Sequence, residues 1–109
     1  MPVHAANDDQ LRHLIYSNEY TVVKYTSPTC DICKSLTPFY QQFSERGDFK
    51  NVLFLHIDAD ENPLARQFLA ERATPLMVTY HNGIVLEANT VYNVEDMTRM
   101  LEKLLHASD

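Results

Sequence analysis

Apolar residues at the start of the chain recur with the period of an α-helix. Leu11, Leu14 and Ile15 share one face of a helix wheel, which predicts an amphipathic first helix. Asn7 and Gln10 precede them at the spacing of a capping box, in which each side chain bonds the other's backbone N–H. The pattern therefore predicts a helix that opens near position 8.

Two strands and two more helices follow in alternation. Residues 21–26 are rich in β-branched side chains and residues 52–57 are almost continuously apolar, which predicts two strands, the second covered on both faces. Apolar residues at helical spacing between them predict a helix over 31–46, which contains Pro38. Asn62-Pro63 predicts the start of a third helix, since proline is tolerated in the first turn. The residues expected to be buried on it are Leu64, Phe68 and Leu69.

The last third of the chain predicts a hairpin and a closing helix. Residues 75–80 and 84–86 read as strands joined by Asn82-Gly83, a strong hairpin signal. Residues 94–105 predict an amphipathic helix whose buried face comprises Val94, Met97, Leu101, Leu104 and Leu105. Alternating helices and strands favour parallel pairing, and the hairpin adds an antiparallel pair. The pattern thus predicts an α/β protein with a mixed sheet.

Composition narrows the function classes. A chain of 109 residues with 45% hydrophobic residues fits a single domain over 1–109. The net charge of −6 argues against nucleic acid and against anionic membrane surfaces as partners. Only two glycines occur, which excludes a glycine-rich phosphate loop. No apolar run is long enough to span a membrane, and the N-terminal residues lack a signal-peptide pattern, so we expect a cytoplasmic location.

The chain's two cysteines stand in one C-x-x-C motif, Cys30-Asp31-Ile32-Cys33, at the predicted junction of a strand and a helix. Such a pair indicates either redox chemistry or half of a metal site. Zinc within the chain is disfavoured, because zinc needs four ligands and no histidine pair has ligand spacing. A cluster shared by two subunits and a motif without chemistry remain open.

The position of the motif gives the two sulfurs different surroundings. Residues three apart on the first turn of a helix face the same way, so Cys30 and Cys33 can close a small disulfide ring. Cys30 lies at the helix N-terminus, where free N–H groups and the helix dipole stabilise a thiolate. Cys33 lies one turn further in and is better shielded. We therefore expect one thiol to attack and the other to resolve.

Five features in order along the chain resemble the thioredoxin family. They are Cys30 and Cys33 followed by Lys34, Pro38 five residues after the second cysteine, the run Asp58-Ala59-Asp60-Glu61-Asn62-Pro63, Ala73-Thr74-Pro75 before a strand, and the Asn82-Gly83 turn. The resemblance implies a thioredoxin-like fold, with a mixed central sheet flanked by helices on both faces. It also implies a cis peptide bond before Pro75.

The resemblance further implies a thiol-disulfide oxidoreductase that exchanges disulfides with protein substrates. Cys30 would be the nucleophile and Cys33 the resolving thiol of a redox disulfide, while Thr74 and Pro75 would orient the substrate segment. Contacts beside the cysteines would come from Thr29, Asp31 and Ile32. The family needs no cofactor of its own and usually receives electrons from a flavoprotein reductase. We expect the chain to be a monomer.

Departures from the family pattern bear on this function. Thr29 replaces a tryptophan, Asp31-Ile32 replaces Gly-Pro, and Val91 or Thr90 stands where the family has a glycine. Lys24 occupies the position of a buried acid, where it would modulate the cysteines if it points inward but not if its amine reaches the surface. An adaptor or assembly module with little redox turnover is therefore an alternative. A glutathione-dependent, glutaredoxin-like protein is another alternative, although the Gly-Gly pair that glutaredoxins carry for glutathione is absent.

Overall fold

A mixed sheet lies between two layers of helices. The computed structural model describes residues 3–69 and 73–107, and the elements below are those of the described residues. The strands are β1 Val3–Ala5, β2 Tyr20–Thr26, β3 Val52–Asp58, β4 Leu76–His81 and β5 Ile84–Thr90. The helices are α1 Asp8–Ser17, α2 Asp31–Glu45, α3 Pro63–Leu69 and α4 Val94–Leu105, with short 3-10 turns at Gly47–Phe49 and Ala59–Glu61.

The strand order across the described sheet is β1-β3-β2-β4-β5. β2 pairs in parallel with β3 and antiparallel with β4, and β4 pairs antiparallel with β5. The predicted parallel pair and the predicted hairpin are therefore both confirmed. Tyr25 on β2 lies opposite Ile57 on one side and Leu76 on the other, so the end of β2 and the start of β4 lie at the same edge of the sheet.

Each face of the sheet is covered by two helices, which confirms the predicted layering. α2 and α4 cover one face, where the buried side chains include Leu36, Tyr40, Phe43, Met97, Met100, Leu101 and Leu104. α1 and α3 cover the other face, where they bury Ile15, Ala65 and Leu69 against β2, β3 and β4. Side chains alternate between the faces along each strand, so each strand contributes to both cores.

The local signals at both ends of the chain are confirmed. Asn7 caps α1, accepting a hydrogen bond from the Gln10 N–H while the Gln10 side chain accepts from the Asn7 N–H. Asn82 and Gly83 both have positive φ, 53° and 83°, as the tight turn between β4 and β5 requires. Local chemistry thus determines where these elements begin and turn.

The structure contains one strand, β1, that was not predicted, and two residues of α3 that were predicted to be buried are exposed. β1 was not predicted, because three residues are too few to show a period. On α3 the buried residues are Ala65 and Leu69, while Leu64 and Phe68 are exposed. Both pairs are four residues apart, so the sequence offered two adjacent apolar stripes without a rule for choosing between them.

The closing helix follows its prediction with one addition. Met97, Leu101 and Leu104 are fully buried, and Val94 and Leu105 are partly buried against the same core. Met100, which was not predicted, is also buried. α4 therefore presents a wider apolar face to the sheet than the pattern indicated.

Tyr40 fixes α2 to the sheet, and loss of its hydroxyl should lower the stability of the protein. Its hydroxyl donates to the carbonyl oxygens of Leu55, at 2.7 Å, and Val22, at 3.2 Å. We expect Tyr40→Phe to lower the free energy of unfolding by about 1–2 kcal/mol, because buried acceptors lose a donor. Urea unfolding measures this. Tyr16→Phe is the control, since Tyr16 is 61% exposed and its change should stay within about 0.5 kcal/mol. Equal effects of the two substitutions would contradict the anchoring role.

Candidate functional site

The two cysteines lie at the beginning of α2. The chain leaves β2, turns through a hydrogen bond from the Cys30 N–H to the Ser27 carbonyl (3.2 Å), and enters the helix at Asp31. Cys30 is the N-cap residue, and its sulfur accepts a hydrogen bond from the Cys33 N–H at 3.1 Å. A disulfide joins Cys30 to Cys33, with their Cα atoms 5.2 Å apart. Both residues are largely buried, at 9% and 3% exposure.

Exposed side chains surround the disulfide. Thr29, Asp31 and Ile32 all lie at the surface beside it, and Ile32 is 39% exposed although it is aliphatic. Asp31 occupies the first turn of α2, where a carboxylate interacts favourably with the helix dipole. The site thus offers a small apolar surface and one negative charge next to the disulfide.

Thr74 and Pro75 lie at the same edge of the sheet as the cysteine turn. The peptide bond between them is cis, which confirms the expectation for Pro75. Since Leu76 pairs with Tyr25, the residue before β4 lies near the segment that leads from β2 to Cys30. The Val91 N–H donates to the Pro75 carbonyl at 3.0 Å, which ties this segment to the end of β5.

Lys24 points inward, which decides the alternative left open by the sequence. It is only 2% exposed and lies beneath α2. Its Nζ donates to Oγ1 of Thr37 at 3.4 Å and stands 4.8 Å from the centre of the Tyr40 ring. Burial lowers the pKa of Lys24 from 10.5 to about 8. The ammonium group is therefore held in the protein interior, not at the surface.

A second titratable group faces the same space from β3. His56 pairs with Lys24 in the parallel register, and its Nε2 lies 2.6 Å from Oγ1 of Thr26. Burial, and then the charge of Lys24, lower the pKa of His56. A cavity of about 80 Å³ adjoins the group and is lined by Val3, Lys24, Thr37, Tyr40, Gln41 and His56.

Thr37 connects the buried Lys24 to the cysteine motif, and the sequence analysis did not single it out. Its hydroxyl donates to the Cys33 carbonyl at 2.9 Å while its oxygen accepts from Lys24. The sequence shows that Thr37 is four residues after Cys33. It does not show that Thr37 contacts Lys24, because that contact depends on Lys24 lying beneath α2.

Clusters of three metal-ligating side chains and membrane-spanning helices are both absent from the described part of the chain. No three His, Cys, Asp or Glu side chains gather there in a way that would hold a metal ion. Nor do residues 3–69 and 73–107 contain a helix with the length and apolar character needed to cross a bilayer.

A cysteine pair that closes a disulfide at the start of a helix, on a mixed sheet with helices on both faces, defines a class of dithiol–disulfide proteins. The family model for thioredoxin matches residues 2–105 of the sequence. The chain therefore belongs to the thioredoxin family, and its fold is the thioredoxin fold.

Individual relatives show how far the similarity extends. The chain is 28% identical over 109 residues to monothiol glutaredoxin-4 of Saccharomyces cerevisiae, covering 97% of this chain but only 45% of that protein. It is 22% identical over 100 residues to a thioredoxin of Coprinus comatus, covering 92% and 94% of the two chains. The crystal structure of a thioredoxin of Malassezia sympodialis superposes with a TM-score of 0.85 at 21% identity, covering 95% and 94%. This last likeness concerns the fold alone.

Replacing Lys24 should stabilise the oxidised protein in a pH-dependent way. Below pH 8 the lysine is charged in both the folded and the unfolded chain, and folding must bury that charge. The lowered pKa corresponds to a cost of about 3 kcal/mol. Between pH 8 and pH 10.5 the folded protein loses this proton first, so the cost disappears as pH rises.

We therefore expect Lys24→Met to raise the free energy of unfolding most at pH 7 and progressively less towards pH 10.5. Urea unfolding of the oxidised proteins across this range measures the difference. Lys34→Met is the matched control, because Lys34 is exposed on α2 and its loss should change stability little at any pH. A stability gain for Lys24→Met that is constant with pH would contradict the lowered pKa of Lys24.

Proposed function

We propose that this chain is a thiol-disulfide oxidoreductase that exchanges disulfides with protein substrates. The observation that supports it is the Cys30–Cys33 disulfide at the N-terminus of α2 in a thioredoxin-family fold. A disulfide between residues three apart is local, so opening it does not disturb the core. A pair of this kind can alternate between oxidised and reduced forms while the fold persists.

Cys30 attacks and Cys33 resolves in the proposed cycle. The Cys30 thiolate attacks one sulfur of the substrate disulfide, forms a mixed disulfide and releases the other substrate sulfur as a thiolate. Cys33 then loses its proton and attacks Cys30, which restores the Cys30–Cys33 disulfide and releases the second substrate sulfur. Helix position supports these roles, because Cys30 caps α2 and meets its free N–H groups while Cys33 lies deeper.

The remaining site residues position the substrate. Thr74 and Pro75 present a short stretch of backbone at the sheet edge, and Thr29, Asp31 and Ile32 form the surface beside the disulfide. The cycle needs no cofactor in this chain, but it needs an electron donor to reduce the disulfide, for which we propose a flavoprotein reductase. We further propose that the protein acts as a monomer in the cytoplasm.

Two other functions have specific observations in their favour. The buried Lys24, and a threonine in place of the family's tryptophan, fit an adaptor with little redox turnover. The similarity to a yeast monothiol glutaredoxin, over less than half of that protein, fits a glutathione-linked role. The reactivity of the Cys30 thiol distinguishes enzyme from adaptor.

A titration of Cys30 therefore tests the function directly. We expect the alkylation rate of Cys30 in the Cys33→Ser variant to follow a thiol pKa below about 7.5, because the thiolate lies at the helix N-terminus. The rate is measured with an alkylating reagent across a pH series. A midpoint near the ordinary value of about 8.5 would favour the adaptor.

Trapping experiments test the roles of the two cysteines. Cys33→Ser should form stable mixed disulfides with proteins of an oxidised cell extract, because the attacking thiol remains and the resolving thiol is gone. Cys30→Ser should form few or none. Non-reducing gels measure the trapped species, and the double variant Cys30→Ser/Cys33→Ser is the control for non-covalent binding. Equal trapping by both single variants would refute the division of roles, and no trapping by either folded variant would support the adaptor.

A further inference from the structure

Lys24 is a buried cation for which residues 3–69 and 73–107 of the oxidised protein offer no counter-charge. Within the described ranges no carboxylate lies at ion-pair distance from it, and its partners are the neutral Thr37 hydroxyl and the face of the Tyr40 ring. Burying an ammonium group without an anion is costly, since desolvation penalises the charged form. An anion that forms nearby in another state of the protein would be strongly stabilised by this charge.

The reduced active site supplies such an anion. The Lys24 Nζ is connected to Cys33 by two consecutive hydrogen bonds, from Nζ to Oγ1 of Thr37 (3.4 Å) and from that hydroxyl to the Cys33 carbonyl (2.9 Å). Because Thr37 donates its only hydroxyl proton to Cys33, its oxygen is left to accept from Lys24. Cys33 and Lys24 are themselves only 3% and 2% exposed, whereas Thr37 between them lies at the surface of α2.

On this basis, and resting on the proposed disulfide exchange, we propose that Lys24 is a positioning residue that acts through Thr37 to stabilise the Cys33 thiolate and so favours the reduced form of the pair. Reduction breaks the Cys30–Cys33 bond with two electrons from a dithiol donor and leaves two sulfurs. The two sulfurs then share one proton. The helix N-terminus favours the thiolate at Cys30, and the Lys24 ammonium favours it at Cys33, which must lose its proton to resolve the mixed disulfide.

The other groups around Lys24 leave it as the source of positive charge. On β3, burial and the charge of Lys24 lower the pKa of His56, which favours the neutral ring, while Asp58 acts on His56 in the opposite direction. On α2, burial raises the pKa of Tyr40, so its hydroxyl stays neutral. The facing residues of the remaining elements do not titrate: Thr26 on β2, Gln41 on α2, Val3 on β1 and Met77 on β4.

The cavity beside Lys24 gives its amine a route for exchanging a proton with water. Its volume of about 80 Å³ is large enough for water, and its polar lining groups belong to Lys24, Thr37, Gln41 and His56. A proton can therefore reach or leave the Lys24 amine without unfolding of α2. An acid at this position would repel the thiolate, so the lysine reverses the sign of the electrostatic effect on Cys33.

Cys33 can be titrated alone to test this. The chain has two cysteines, so the Cys30→Ser background leaves Cys33 as the single thiol. In that background we expect Lys24→Met to raise the Cys33 titration midpoint by about one unit, the effect of losing an opposite charge nearby. The rate of alkylation against pH gives the midpoint. A charge on the surface is screened, so Lys34→Met should shift it less.

Thr37→Val separates the connection from the charge. It keeps Lys24 but removes the hydroxyl between Lys24 and Cys33, so we expect a rise in the midpoint smaller than that of Lys24→Met. Circular dichroism confirms that each variant is folded. A midpoint in Lys24→Met no higher than in Lys34→Met overturns the proposal, and if Lys24→Met does not fold, an unchanged midpoint in Thr37→Val overturns it.

The redox equilibrium of the two-cysteine protein provides an independent readout. Losing a stabilised thiolate should make Lys24→Met more reducing, with about a tenfold change in the equilibrium constant against glutathione, or about 30 mV. An unchanged constant would also overturn the proposal. Neither measurement requires a protein substrate. Failure to trap substrates would count against the proposed function alone, while unchanged titration and equilibrium would count against the role of Lys24 alone.

Discussion

The hydrogen bonding of β2 on both of its edges is the constraint on which the rest of the site depends. β2 pairs with β3 on one side and β4 on the other, and helices cover both of its faces. Every side chain from Thr21 to Thr26 is therefore buried, whatever its chemistry. This confinement places Lys24 beneath α2, and it delivers the chain at the end of β2 to the turn that begins with Ser27 and ends at Cys30. The position of Lys24 and the position of the cysteine turn thus both follow from the placement of β2.

The disulfide and the buried lysine belong to one electrostatic system. The helix N-terminus favours negative charge at Cys30, and in the role proposed for Lys24 its ammonium favours negative charge at Cys33, so both influences would stabilise the reduced form. Asp31 adds a negative charge on the exposed side of the motif, where water screens it. In the proposed role, the buried charge of Lys24 would influence the sulfurs more than the exposed charge of Asp31, because the interior screens it less.

Membership of the thioredoxin family establishes the fold more firmly than the reaction. The same fold can carry enzymes and binding modules, and function depends on the side chains at the site. Here the cysteine pair and the cis bond before Pro75 follow the family pattern, whereas Thr29, Asp31, Ile32 and Lys24 do not. The surface beside the disulfide therefore departs from the family pattern, and in the proposed function it is where substrate preference would be decided.

The sequence by itself determined the elements whose signals are local. The capping box at Asn7, the turn at Asn82-Gly83 and the C-x-x-C at a helix start all depend on residues a few positions apart, so their chemistry is legible before folding. Only the tertiary structure decided whether Lys24 pointed inward, which apolar stripe of α3 was buried, and that Thr37 and His56 lie against Lys24. Those facts depend on which strands pair and which helix covers them. A sequence does not display contacts between residues tens of positions apart, because strand register and helix packing create them.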